Sequence, residues 1–239
     1  MHLSAGLKRV LGIGVLLHAV MAIGTEVNAS EAVAHWTMPV IAIPESDQMG
    51  GPSIFGTIAL PVRPSPTSTR WSKLMRVSPV QPALAHLTVG ASELPPEEQV
   101  AFVQAAVKQA VRTGQSSHDC SDDGYWAPAS ETLARGVGDC FDIAIAKMEA
   151  LRFLGIPGKD LYLSTGYFRR SYGTDNYRES VALLVRIGEH FWLMTEQSEH
   201  IIEADCLFDN STEFTPILTY GVGLTWVHGR LVDYASLNR

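Results

Sequence analysis

Gly138-Asp139-Cys140-Phe141-Asp142 opens a helix-patterned stretch that Gly155 and Pro157 close, and this segment constrains the fold more than any other. Ile143, Lys147, Ala150, Leu151 and Leu154 recur at helical spacing, so a helix from Asp139 or Cys140 to Leu154 lays an apolar face, with one cationic interloper, against a core. The cysteine then sits at the helix mouth, where free amides and the helix dipole favour thiolate and can lower a thiol pKa by one to several units from about 8.5. Two readings are open. Cys140 is a nucleophile, which also requires a base and a group that orients the base; or it is a half-buried cysteine beside a helix start capped by the Asp142 carboxylate.

The first residues bear on compartment. Lys8 and Arg9 precede an apolar run over 10–23 and then Val27-Asn28-Ala29, the pattern of a signal peptide over 1–29. An uncleaved N-terminal anchor is the other reading. No later stretch approaches the roughly 20 apolar residues that a membrane helix needs. The expectation is a soluble, exported mature chain, periplasmic or secreted, with no membrane partner after cleavage. The formal charge of −7 becomes −8 once Lys8, Arg9 and Glu26 leave together, and no basic stripe remains, which argues against nucleic acid. Three cysteines allow one bridge. Cys120 to Cys206 is the pairing that spares Cys140; three free thiols are the alternative.

Residues 30–70 read as a Pro/Gly-rich extension in which 54–60 is apolar enough for an edge strand, and 71–239 as the packed domain, beginning near Trp71. Pro96 to Arg112 is patterned as a helix: Val100, Val103, Val107 and Val111 form its buried stripe and Gly114 is placed to cap it. A polar loop over 116–124 carries Asp119, Asp122 and Asp123, a solvated loop or a cation site. Strands follow over 161–168, 180–187 and 190–195, the last two joined by Gly188-Glu189. With Ile187 opposite His190, Ser180, Ala182, Thr195 and Gln197 share one face, while Glu179 and Glu196 point to the other.

Tyr125-Trp126-Ala127-Pro128, Thr132-Leu133-Ala134-Arg135-Gly136, Gly138-Asp139-Cys140-x-Asp142-x-Ala144-Ile145-Ala146-Lys147 and Leu151-Arg152-x-Leu154-Gly155-Ile156-Pro157 resemble the bacterial transglutaminase-like cysteine proteinases. That family contains exported proteases that clip biofilm adhesins in the periplasm. Phe55-Gly56-Thr57, Arg70-Trp71, Phe214-Thr215-Pro216 and Trp226-Val227-His228-Gly229 extend the likeness over about 53 to 229. The resemblance implies an α+β, papain-like/transglutaminase-like core, with the nucleophile-position cysteine at the N-terminus of a helix packed on an antiparallel sheet. It also implies a Cys-His-Asp triad and a protein or peptide segment in the cleft. Cys140 takes the nucleophile position, Ser180 falls at the His position and Thr195 at the Asp position.

Serine cannot take a proton from a thiol as imidazole does, and loss of a general base costs roughly 10²–10⁴ in rate. His190 lies about 20 Å from the active-site end in this register; His200 could fold back, and His228 reads as structural. A bulge would bring Glu196 round to the Ser180 face. The family also implies calcium, for which Asp139 is the candidate ligand, although Phe141 stands at the acidic position that follows the cysteine. The expectation is therefore a catalytically lapsed, protein-binding member, a pseudoenzyme. The alternative is an active periplasmic cysteine endopeptidase with a non-standard base.

Overall fold

The computed structural model describes residues 51–79, 82–114, 120, 125–169, 177–205 and 214–230, all within the unit Thr37–Arg239. Cys206, the signal-peptide stretch and Asp119, Asp122 and Asp123 lie outside the described residues.

Ile58–Val62 forms strand β1. Ser65 then starts helix α1, Pro66–Leu74, through a capping box with Ser68, and Pro66 fills the first helical turn, where no amide is missed. Helix α2, Pro82–Leu87, and helix α3, Pro96–Ala110, follow. The valine stripe of α3 is buried as its spacing predicts, but Gly114 is not its cap: Val111 is extended and leads into β2, Arg112–Thr113. Helix α4, Ala129–Arg135, ends on Gly136 with φ 62°, a left-handed cap. β3, Val137–Gly138, pairs in parallel with β2.

Helix α5, Cys140–Phe153, is buried without a break from Cys140 to Leu151. The single apolar face expected from its pattern is thus exceeded, because α3, α4 and the sheet cover it from several sides. After a 3-10 turn come β4, Leu161–Arg169, β5, Tyr177–Ile187, β6, His190–Met194, β7, Ile202–Glu203, β8, Phe214–Tyr220, and β9, Thr225–Gly229. Among the described residues, seven strands make one antiparallel sheet in the order β1-β9-β8-β4-β5-β6-β7. Ile187 opposes His190, the register that the two-residue loop predicts.

Alternation divides the sheet's residues between two cores. Leu161, Leu163, Val181, Leu183, Val185 and Met194 pack with Cys140 and the rest of α5. Tyr162, Ala182, Leu184, Leu193, Phe214 and Trp226 form the core of the other face with Ile54 and Phe55. The packed region therefore begins well before Trp71: Ile54, Phe55 and Ala59 are core, and β1 is the edge strand beside β9. Pro61 in β1 withholds a donor at that edge.

Candidate functional site

The helix mouth is built by close approach. A Cβ on Gly138 would come within 2.9 Å of the Asp142 Cβ and 3.0 Å of the Thr132 Cγ2, so only glycine lets β3 run this near α5. The N-cap is Asp139, whose carboxylate accepts from the Asp142 amide at 2.8 Å. Asp142, expected to cap, is instead buried and turned back: its carboxylate accepts from the Ala127 amide at 2.8 Å and from the Arg135 guanidinium at 3.0 Å. Burial first, and the neighbouring Asp142 charge after it, push the Asp139 carboxyl above its ordinary value, against the pull of the helix amides.

Cys140 is fully buried and bonded to Cys120, with Cα atoms 5.9 Å apart. This overturns the Cys120–Cys206 pairing. The sulfur expected to be spared is the one that is bridged, because Cys120 is placed over the mouth of α5, 3.4 Å from the Glu179 carbonyl oxygen.

The residue after the cysteine decides the calcium question. Phe141 is buried and stacked on Trp126, ring centroids 4.7 Å apart, with Arg70 4.8 Å above the same indole. With Phe141 apolar, Asp139 spent on the helix cap and both Asp142 oxygens taken, this donor set does not fit calcium, which takes six to eight oxygens. Among the described residues the group of side chains that could hold a metal is His190, Glu203 and Asp205, exposed at the β5–β6 turn end.

Beside the helix mouth a cleft of about 230 Å³ opens on the α5 side of the sheet. Thr165, Tyr167, Glu179 and Val181 of β4 and β5 line it, together with Cys120, Phe141, Thr67, Gly166, Ser180, Ile217 and Tyr220. Tyr167 opposes Glu179 across the strands, and burial, then the Glu179 charge, raise the phenol's pKa. Alternation puts Val181 and Leu183 on the α5 side and Ala182 and Leu184 on the other. The site face of β5 is thus that of Glu179 and Val181, and the strand pattern turns the Ser180 side chain toward the opposite core. Ser180 Oγ lies 3.3 Å from Gln197 Oε1.

Thr195 has a structural partner: its hydroxyl accepts from the Ser198 amide at 3.1 Å. Glu196, the next residue, is buried and meets Arg178 at 3.4 Å. Burial raises its carboxyl pKa, with Arg178, Lys147 and Lys108 pulling it down. Its Oε2 has no hydrogen-bond partner among the described residues.

None of the described histidines lines the cleft. His190 pairs with Asp205 at 2.9 Å, and His200 lies exposed beside Ala105 and Lys108 on the outside of α3. His228 is buried between Thr57 and Thr219, each hydroxyl 2.8 Å from one ring nitrogen, and burial pushes it down to about 4. Lys147, the cationic interloper of the α5 stripe, finds its partner in the Thr195 carbonyl oxygen at 2.8 Å. A lysine inside an apolar helical stripe signals a buried cation in need of a partner, and here it holds the Thr195 turn.

Fold and site define an α+β protein with a cysteine at the mouth of a buried helix, an antiparallel sheet beneath and a cleft beside the cysteine. No protein-family model matches the chain, and no curated protein does. Among solved structures it is similar to LapG of Legionella pneumophila, at 19% identity and TM-score 0.47 over 67% of this chain and 87% of that one. The calcium-bound form of that protein gives 19% and 0.48 over the same shares. Its EGTA-treated form gives 19% and 0.47 over 71% of this chain and 91% of that one.

Proposed function

We propose that this chain is an exported protein of the cysteine-peptidase fold that holds a protein segment in the cleft beside Cys140 without cutting it. One observation carries the reading: among the described residues no imidazole lines the cleft, and the sulfur that would attack a peptide carbonyl is already bonded to Cys120. Without a general base the thiol is not activated for acyl transfer. The carboxylates near it, Asp139 and Glu179, oppose formation of a thiolate. Export is supported by the charged, then apolar, then small-residue pattern of the first 29 residues, and by a disulfide that belongs in an oxidising compartment.

A second reading, an endopeptidase with a carboxylate base, is favoured by the placement of Glu179 among the residues that line the cleft. Alkylation of the reduced protein by iodoacetamide separates the two, with Cys140→Ala as blank. Under the binding reading the rate follows a thiol titrating at about 8.5 or above. Fast labelling near pH 6 means an activated nucleophile and overturns it. The occupant is sought by immobilising the wild type and a cleft-filling Thr165→Trp variant: an uncleaved exported protein retained by the first and lost by the second supports the reading, and its release as fragments refutes it.

A further inference from the structure

The two sulfurs of the bridge differ sharply in access. Cys140 is fully buried in the core that includes Val181 and Leu183, whereas Cys120 is partly exposed and forms part of the cleft wall. Disulfide exchange proceeds by attack of a thiolate on one sulfur with the other as leaving group, and which sulfur is attacked depends on access. A thiolate entering the cleft therefore meets Cys120. Cys140, held in the first turn of α5, is the leaving group.

We infer that the cleft is a thiol-exchange site of fixed polarity: an incoming thiol, small or carried on a peptide, is captured on Cys120 while Cys140 is released. In the first step RS⁻ attacks Cys120 Sγ, the Cys120–Cys140 bond breaks, RS–S–Cys120 forms, and Cys140 leaves as thiolate and is protonated from water. A second thiolate then attacks the sulfur of the captured group, giving RSSR and free Cys120. The reductant is thus the thiol ligand itself. The freed Cys120 has an acceptor in place, the Glu179 carbonyl oxygen at 3.4 Å, which keeps it at the cleft. The inference rests on the reading of this cleft as a ligand site and adds the chemistry that the ligand carries.

The test uses the oxidised wild-type chain. A non-reducing peptide map first identifies the linked cysteines; the protein is then exposed briefly to glutathione, or to a short cysteine-containing peptide, quenched in acid, and its free thiols are blocked with N-ethylmaleimide. Expected are a Cys120–Cys140 link, an adduct on Cys120 in about tenfold excess over Cys140, and maleimide on Cys140. Adduct on Cys120 from glutathione alone means a small-thiol site, and a faster reaction with the peptide means a peptide-thiol site. Equal labelling of the two cysteines, an adduct favouring Cys140, no exchange, or a map in which Cys120 is not joined to Cys140 overturns the inference. Cys120→Ser, in which no adduct can form by this route, is a control; should it fail to fold, the wild-type map still decides. The position of the adduct does not depend on the acidity of Cys140 or on proteolysis. An activated Cys140 would therefore refute the binding reading and leave the polarity standing, and a symmetric exchange would do the reverse.

Discussion

Lys147 Nζ donates to the carbonyl oxygen of Thr195 at 2.8 Å, and the pair ties the middle of α5 to the turn that leaves β6. Gln104 of α3 donates to the same oxygen at 2.9 Å and to the Ser198 carbonyl, and Lys108 donates to the Glu196 carbonyl. Two helices thus hold one turn through its backbone. The side chain of Thr195 is spent within that turn on the Ser198 amide.

Lys147 makes this clamp depend on pH. Burial pushes its ammonium down to about 7 from 10.5, with Glu196 opposing the shift. Between those values the unfolded chain binds a proton that the folded chain lacks, so stability rises with pH across that window, by up to about 1.4 kcal/mol per pH unit. Lys147→Met keeps the length of the side chain and removes the titration. Urea midpoints of wild type and variant, measured from about pH 6 to about pH 9, should converge or cross as the wild type gains; parallel curves rule out a lowered Lys147.

His228 acts in the acid range. It is neutral between two threonine hydroxyls, and burial holds it down to about 4, below its ordinary 6.5. The unfolded chain binds the extra proton between these values, so the stability is fully present above about 6.5 and is lost as pH falls toward about 4, a loss of roughly 3 kcal/mol. In His228→Asn this part of the acid loss should vanish while the rest of the profile remains. An unchanged difference in melting temperature between neutral pH and about pH 4.5 means that His228 is not buried neutral.

The helix mouth and the β5–β6 register were legible in the sequence because their signals are local: a cap, a breaker and a two-residue loop fix them within a few residues. Which face of β5 looks at Cys140 was not. Val181-Ala182-Leu183-Leu184-Val185 is apolar on both sides, as a strand between two cores must be, and alternation alone does not say which core holds α5. Alternation in β5 puts Glu179 with Val181 on the α5 side, whereas Ser180 also lines the cleft and Thr195 lies beyond the end of β6. The Cys120–Cys140 bridge was missed because pairing depends on where a loop comes to rest, which spacing does not encode. Helix α4 and strand β8 were also unread: the first is only seven residues long and the second contains Pro216.

The cleft floor depends on Gly166. The β4–β8 register shifts between Thr165 and Gly166, and a Cβ at 166 would run into the Thr215 carbonyl oxygen and press on the Phe214 ring at 3.0 Å. Gly166→Ala must therefore part β4 from β8 or bend the strand. The expected result is a loss of about 2–4 kcal/mol with lower protection of the Thr165 to Phe168 amides in hydrogen exchange. An unchanged urea midpoint would falsify the close approach.

Phe141 provides the last test, because it separates packing from an inherited metal site. Its ring is buried against Trp126, and deleting a buried aromatic costs about 3–5 kcal/mol, so Phe141→Ala should lower the urea midpoint strongly. Phe141→Glu places a carboxylate directly after the cysteine but puts it in an apolar stack between Asp139 and Asp142. Since the Asp142 oxygens are held by Ala127 and Arg135, calcium should not recover the lost stability. The measurement is the urea midpoint of Phe141→Glu with calcium and with a chelator: equal midpoints fit a helix mouth rebuilt around an aromatic stack, and a calcium-dependent rise means that the metal geometry survives beneath the substitution.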